Sequence, residues 1–129
     1  MRDNTLTSIV ILALNLSSEV EDKKAISEHF NIEHTSPVLQ GCYKGQTENS
    51  YIIEINELEN RSLTDILAFS KIYNQESILF LDNQRNATLI FNMDEMIKLG
   101  TFKGVSELHA KSKDAYTYSP HHDVYFIAE

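Results

Sequence analysis

Two four-residue runs, Ile9-Val10-Ile11-Leu12 and Ile78-Leu79-Phe80-Leu81, are apolar at every position. Side chains alternate across a strand, so each run presents apolar surface to both faces of any sheet it joins. A half-solvated strand is therefore excluded for both, and each face needs a cover. Amphipathic helices supply one. Ser17 to Glu21 carries a capping box, with Ser18 as the cap and Glu21 reaching back to it. That helix is expected to run to Phe30, with Val20, Ala25, Ile26, His29 and Phe30 as its inner stripe. A second helix opens at Asn60 to Asp65, with Ser62 as its cap and Asp65 in the first turn. Leu63, Ile66, Leu67, Phe69, Ile72 and Tyr73 give it a wide apolar face.

Extended segments alternate with these helices. Thr7 to Leu14 is the first, and Val38 to Tyr43 follows Pro37. Asn49 to Ile55 places Tyr51, Ile53 and Ile55 on one face, and Ser77 to Leu81 and Ala87 to Phe91 complete the set. Strand, helix, strand, strand, helix, strand is the split βαβ order, which predicts an α+β, ferredoxin-like α/β sandwich. Met93 to Leu99 reads as a helical turn, Ala110 to Pro120 as a loop, and Asp123 to Ala128 as an extra C-terminal strand. Helices in such a sandwich cover one face of the sheet. The other face of the two apolar runs then needs either the C-terminal third or another subunit, and the reading favours an oligomer.

The chain of 129 residues fits one domain over 1–129, with 42% hydrophobic and 23% charged residues. No run approaches the ~18 apolar residues of a membrane helix. Met1-Arg2-Asp3 does not begin a basic leader, so the start reads as mature sequence. A single cysteine, Cys42, excludes an intrachain disulfide and suits a reducing cytoplasm. The net charge of −8, from 19 acidic against 11 basic residues, argues against a nucleic-acid partner.

Chemistry concentrates in Gly41-Cys42-Tyr43-Lys44-Gly45-Gln46-Thr47-Glu48-Asn49-Ser50, which holds two of the four glycines. Glycine lets backbone amides approach a ligand, and Glu48 has Ser50 two positions on, on the same strand face. A hairpin turn is the plain alternative for this segment. Elsewhere the candidates are weaker. His121-His122-Asp123 points to alternating sides and reads as a surface loop, so no metal site is expected. His29 reads as a packing residue, while His34 and His109 have no partner that spacing identifies. Cys42 reads as a small buried hydrophobe. Neither a P-loop nor a GxGxxG pattern occurs, and no cofactor is expected.

The Gly41-Cys42-Tyr43 loop, the following Glu48 before a strand, and Asn74-Gln75-Glu76-Ser77-Ile78-Leu79-Phe80 together resemble the phage S-adenosylmethionine lyases, also called hydrolases. Gly100-Thr101-Phe102 and the final alternating segment find weaker counterparts. The resemblance implies a homotrimer of α/β sandwiches like the nitrogen-regulatory PII proteins, with active sites between subunits. It implies cleavage of S-adenosylmethionine to methylthioadenosine and homoserine lactone in the host cytoplasm, as a counter-defence against restriction-modification. On this reading Glu48 and Tyr43 are the catalytic residues: Glu48 holds the substrate ammonium and Tyr43 shapes the pocket. Gly41, Cys42, Lys44 and Ser50 bind substrate, with backbone amides of Gly41 to Lys44 on the carboxylate. Two rivals share parts of this picture. A non-catalytic PII-like trimer binding an adenine-containing ligand would give no product. An acidic anti-restriction protein mimicking DNA would gather its carboxylates on one face.

Overall fold

In the computed structural model, which describes residues 8–14, 16, 18–31, 37–55, 63–92 and 94–129, strand β1 (Ile9–Leu12) is buried at all of its positions. Its two faces have different covers. Val10 and Leu12 pack beneath helices α1 (Glu19–Phe30) and α2 (Leu63–Ile72), in a cluster that includes Ile26, Phe30, Tyr51, Ile66 and Phe69. Ile9 and Ile11 point the other way, toward Leu39, Leu81 and Ala87.

That second face is the lumen of a barrel. Strands β2 (Leu39–Tyr43), β3 (Gln46–Glu54), β4 (Ile78–Leu81), β5 (Asn86–Asn92) and β6 (Glu95–Val105) are followed by the short helix α3 (Glu107–Lys111) and by β7 (Ala115–Ser119) and β8 (Val124–Ala128). All neighbours pair antiparallel in the order β1-β3-β2-β7-β8-β6-β5-β4, and β4 pairs back onto β1. The expected ferredoxin-like sandwich resembling PII proteins, with one added strand, is therefore replaced by a closed eight-strand barrel. The order of elements through β4 is the one read from the sequence. The physical difference lies in the last third, which continues the sheet and rolls it shut. Closure gives β1 and β4 their second cover within one chain. The step from doubly apolar strands to an oligomer is thereby removed.

Two local readings change with it. The segment from Met93 to Leu99 is not a helical turn: Glu95 to Leu99 opens β6, and Met93 lies outside the described residues. Ala110 to Pro120 is not a loop either, since it closes α3 and then forms β7. Alternation explains β7: Tyr116 and Tyr118 face outward, while Thr117 and Ser119 are buried on the lumenal side.

Helix α1 begins as read, with the Ser18 Oγ accepting the Glu21 N–H at 3.2 Å. It ends at Asn31 in the left-handed region, φ 56, whose N–H reaches the Ser27 carbonyl. Its buried stripe is Asp22, Ile26 and Phe30, whereas Val20 is 76% exposed. Asp22 is an acid in the core, and it is satisfied there: it accepts the Leu16 N–H at 3.0 Å and the Tyr51 hydroxyl. Burial, then the bond to Asp22, pushes the Tyr51 hydroxyl far above the ordinary tyrosine range. In α2, Ile66, Leu67 and Phe69 are buried but Ile72 is exposed. The Ser62 cap and His34 lie outside the described residues.

Candidate functional site

The segment singled out in the sequence is the β2–β3 hairpin. Lys44 (φ 50) and Gly45 (φ 83) form its two-residue turn, both in the left-handed region that such turns require. The register pairs Tyr43 with Gln46, Cys42 with Thr47, Gly41 with Glu48, and Leu39 with Ser50. Directly opposed residues share a face. Gly41, Tyr43, Glu48 and Ser50 therefore lie on the lumenal face, and Cys42 lies on the outer face with Thr47. Lys44 sits at the tip between them, its ammonium 5.3 Å from the centre of the Tyr43 ring.

Gly41 has a steric role here. A Cβ at this position would stand 3.1 Å from the Ser50 Oγ, so glycine leaves room for a buried hydroxyl on the face that carries Glu48. The expected cradle of backbone amides is not available in the same way. Strand β2 is paired on both sides, with β3 and with β7, and the Lys44 N–H donates to the Asp114 carbonyl at 2.7 Å. Glu48 and Tyr43 are exposed and Ser50 is buried.

The outer face carries a feature the sequence reading missed. Tyr116, Tyr118 and Tyr125, with Gln40, Cys42 and Thr47, line a cleft of ≈ 200 Å³. The Tyr118 and Tyr125 rings lie 4.4 Å apart and Tyr116 lies 5.9 Å from Tyr125. All three hydroxyls are held in the protonated form beyond their ordinary range. For Tyr116 the main cause is a hydrogen bond with Cys42, for Tyr118 its bond to Asp123 (2.8 Å), and for Tyr125 desolvation followed by Glu107. The signal for this cleft lies in the Ala115 to Ser119 alternation, which puts two tyrosines on one face.

Among the described residues the histidines form no metal-binding group. His29 packs at a tilt on Phe69, ring centres 4.4 Å apart, and lies 3.9 Å from Asp65, and His109 lies 4.0 Å from Glu129. His121 and His122 contact each other edge-on in the turn before β8. Among the described residues no group of three or more His, Cys, Asp or Glu side chains is placed to hold a metal ion. No described helix is long and apolar enough to cross a membrane.

The S-Adenosylmethionine lyase family matches the chain over residues 12–129. The chain belongs to that family. The match runs from the end of β1 through β8, so both faces of the β2–β3 hairpin lie inside it. The protein is thus an S-adenosylmethionine lyase, an enzyme that breaks a carbon–sulfur bond. Comparison with curated proteins gives no match to this lyase.

Proposed function

We propose that the enzyme splits S-adenosylmethionine into methylthioadenosine and homoserine lactone on the lumenal face of the β2–β3 hairpin. The substrate carboxylate attacks its own γ-carbon. A carbon–oxygen bond forms, the carbon–sulfur bond breaks, and the electron pair neutralises the sulfonium. No proton moves and no water enters. The protein's work is to fold the tail into attack geometry, and such positioning supplies up to ~7–11 kcal/mol.

Glu48 holds the substrate ammonium and Tyr43 shapes the pocket. Because the β2 amides face neighbouring strands, the Lys44 ammonium is the group that meets the carboxylate. The observation that carries this reading is Gly41 opposite Glu48, with Ser50 on the same face, inside the family match. Glu48 and Tyr43 are exposed in the single chain, so a neighbouring copy in a homotrimer completes the site. An exposed apolar run on β6, Met96, Ile97 and Leu99, supports such an assembly. Depleting the methyl donor in an infected bacterial cytoplasm would serve a phage against restriction-modification.

Incubating the pure protein with S-adenosylmethionine in ¹⁸O-water tests the chemistry. Methylthioadenosine with unlabelled lactone is expected. Labelled homoserine formed directly would mean hydrolysis, and no methylthioadenosine would leave a ligand-binding module. Glu48→Gln is expected to lower turnover by about 100-fold, the scale of a misplaced substrate.

A further inference from the structure

The barrel lumen holds a cavity of ≈ 250 Å³, and none of the residues assigned above to catalysis lines it. Its walls are apolar: Ile9, Ile11, Leu39, Ile52, Phe102 and Phe126. The Phe102 and Phe126 rings stack at 5.2 Å. Apolar walls of this kind favour contact with an apolar ligand over contact with water. Among the described residues, the polar ones bordering it are Arg85, Lys103, Ser119 and His122, with no acid, in a chain of net charge −8. The Lys103 ammonium lies 3.4 Å from Glu129, so its charge is shared with that carboxylate. Arg85 brings a second cation to the cavity wall, and it too has a carboxylate neighbour, Asp82.

Arg85 is held in place by its backbone. It adopts φ 64, uncommon for a residue with a side chain, and its carbonyl accepts the Phe102 N–H at 2.8 Å. One guanidinium N–H goes to the Asp82 carbonyl at 3.1 Å. Guanidinium carries five donors in a fork that fits a carboxylate.

We propose that the lumen binds a medium-chain carboxylate, its tail among Ile11, Leu39 and the two phenylalanines and its head on Arg85. Size sets the chain length: at about 30 Å³ per water-sized group, the cavity accommodates about eight such groups. An eight-carbon acid matches that volume.

Calorimetric titration of the full chain with octanoate, hexanoate and octanol tests this. Octanoate is expected to bind saturably at one site. Hexanoate should bind about 15-fold more weakly, from about fourfold per methylene. Arg85→Gln should weaken octanoate about tenfold and leave octanol unchanged. A Cβ on Gly104 would meet Val124 at 3.5 Å and Phe126 at 3.9 Å, ordinary contacts, so Gly104→Leu should fill the lumen and abolish binding. If that variant fails to fold by circular dichroism, the chain-length series and Arg85→Gln decide. No saturable octanoate binding at millimolar concentration, equal affinity for hexanoate, or equal loss of octanoate and octanol in Arg85→Gln would each overturn the proposal.

Discussion

Replacing Tyr51 with phenylalanine removes one oxygen from the core and leaves the Asp22 carboxylate short of a donor. Both residues are buried, Tyr51 at 0% and Asp22 at 2% exposure, so water cannot substitute. A hydrogen bond to a charged group is worth about 1.5–3 kcal/mol. For a domain of this size about 4 °C of Tm accompanies each kcal/mol, giving a loss of about 6–12 °C at neutral pH. Alkali adds a sharper test. The folded-state Tyr51 pKa lies above its unfolded value near 10, so its contribution is complete below pH 10 and fades as pH rises toward the folded value. Through Tyr51, each pH unit in that window removes about 1.4 kcal/mol from the wild type that Tyr51→Phe does not lose, the other raised tyrosines being common to both. The Tm gap should therefore narrow between pH 10 and about 11.5, where about 2 kcal/mol has been lost. Thermal melts by circular dichroism at about pH 7, 9, 10.5 and 11.5 span that window and measure it. A gap under about 2 °C at neutral pH, or one that stays constant into alkali, would refute the coupling of Tyr51 to Asp22.

Other outcomes follow from single positions. Gly100→Ala combines φ 104 with a Cβ placed 2.8 Å from the Glu129 carbonyl oxygen, so it should displace β8 and destabilise by about 2 kcal/mol or more, read as a lower denaturant midpoint. Ile97→Lys places a charge on an exposed strand and should dissociate any assembly through β6, read by light scattering. Unchanged mass in that variant would remove β6 from the interface. Tyr116→Phe breaks the bond with Cys42 on the outer face and should leave turnover within about twofold, since a small effect is usual away from the reacting groups.

How far these features could be read from residues alone depends on the range of the interaction. The Ser18 cap and the strand character of Ile9 to Leu12 are local, and both are present. The stripe of α1 is legible at Ile26 and Phe30, whereas Val20 is exposed and Asp22 is buried in the stripe. Asp22 can join that stripe because Tyr51, from a strand far along the chain, supplies its donor. Barrel closure rests on the β1–β4 and β6–β8 pairings, whose registers no local pattern encodes. Strand β6 is exposed over most of its length, so Glu95 to Leu99 shows no alternation to mark it. The hairpin face that joins Gly41 to Glu48 follows from parity once the Lys44-Gly45 turn is fixed. The same parity sends Cys42 to the opposite side.

Strand β8 lies between β6 and β7 but is the last of the barrel to be made. While the ribosome is still translating it, the cylinder has a slot one strand wide, with two adhesive borders open to other nascent chains. Domains acquire structure from the N-terminal end as they emerge. This one must wait for its keystone, and crowding on a polysome is where its misassembly would begin.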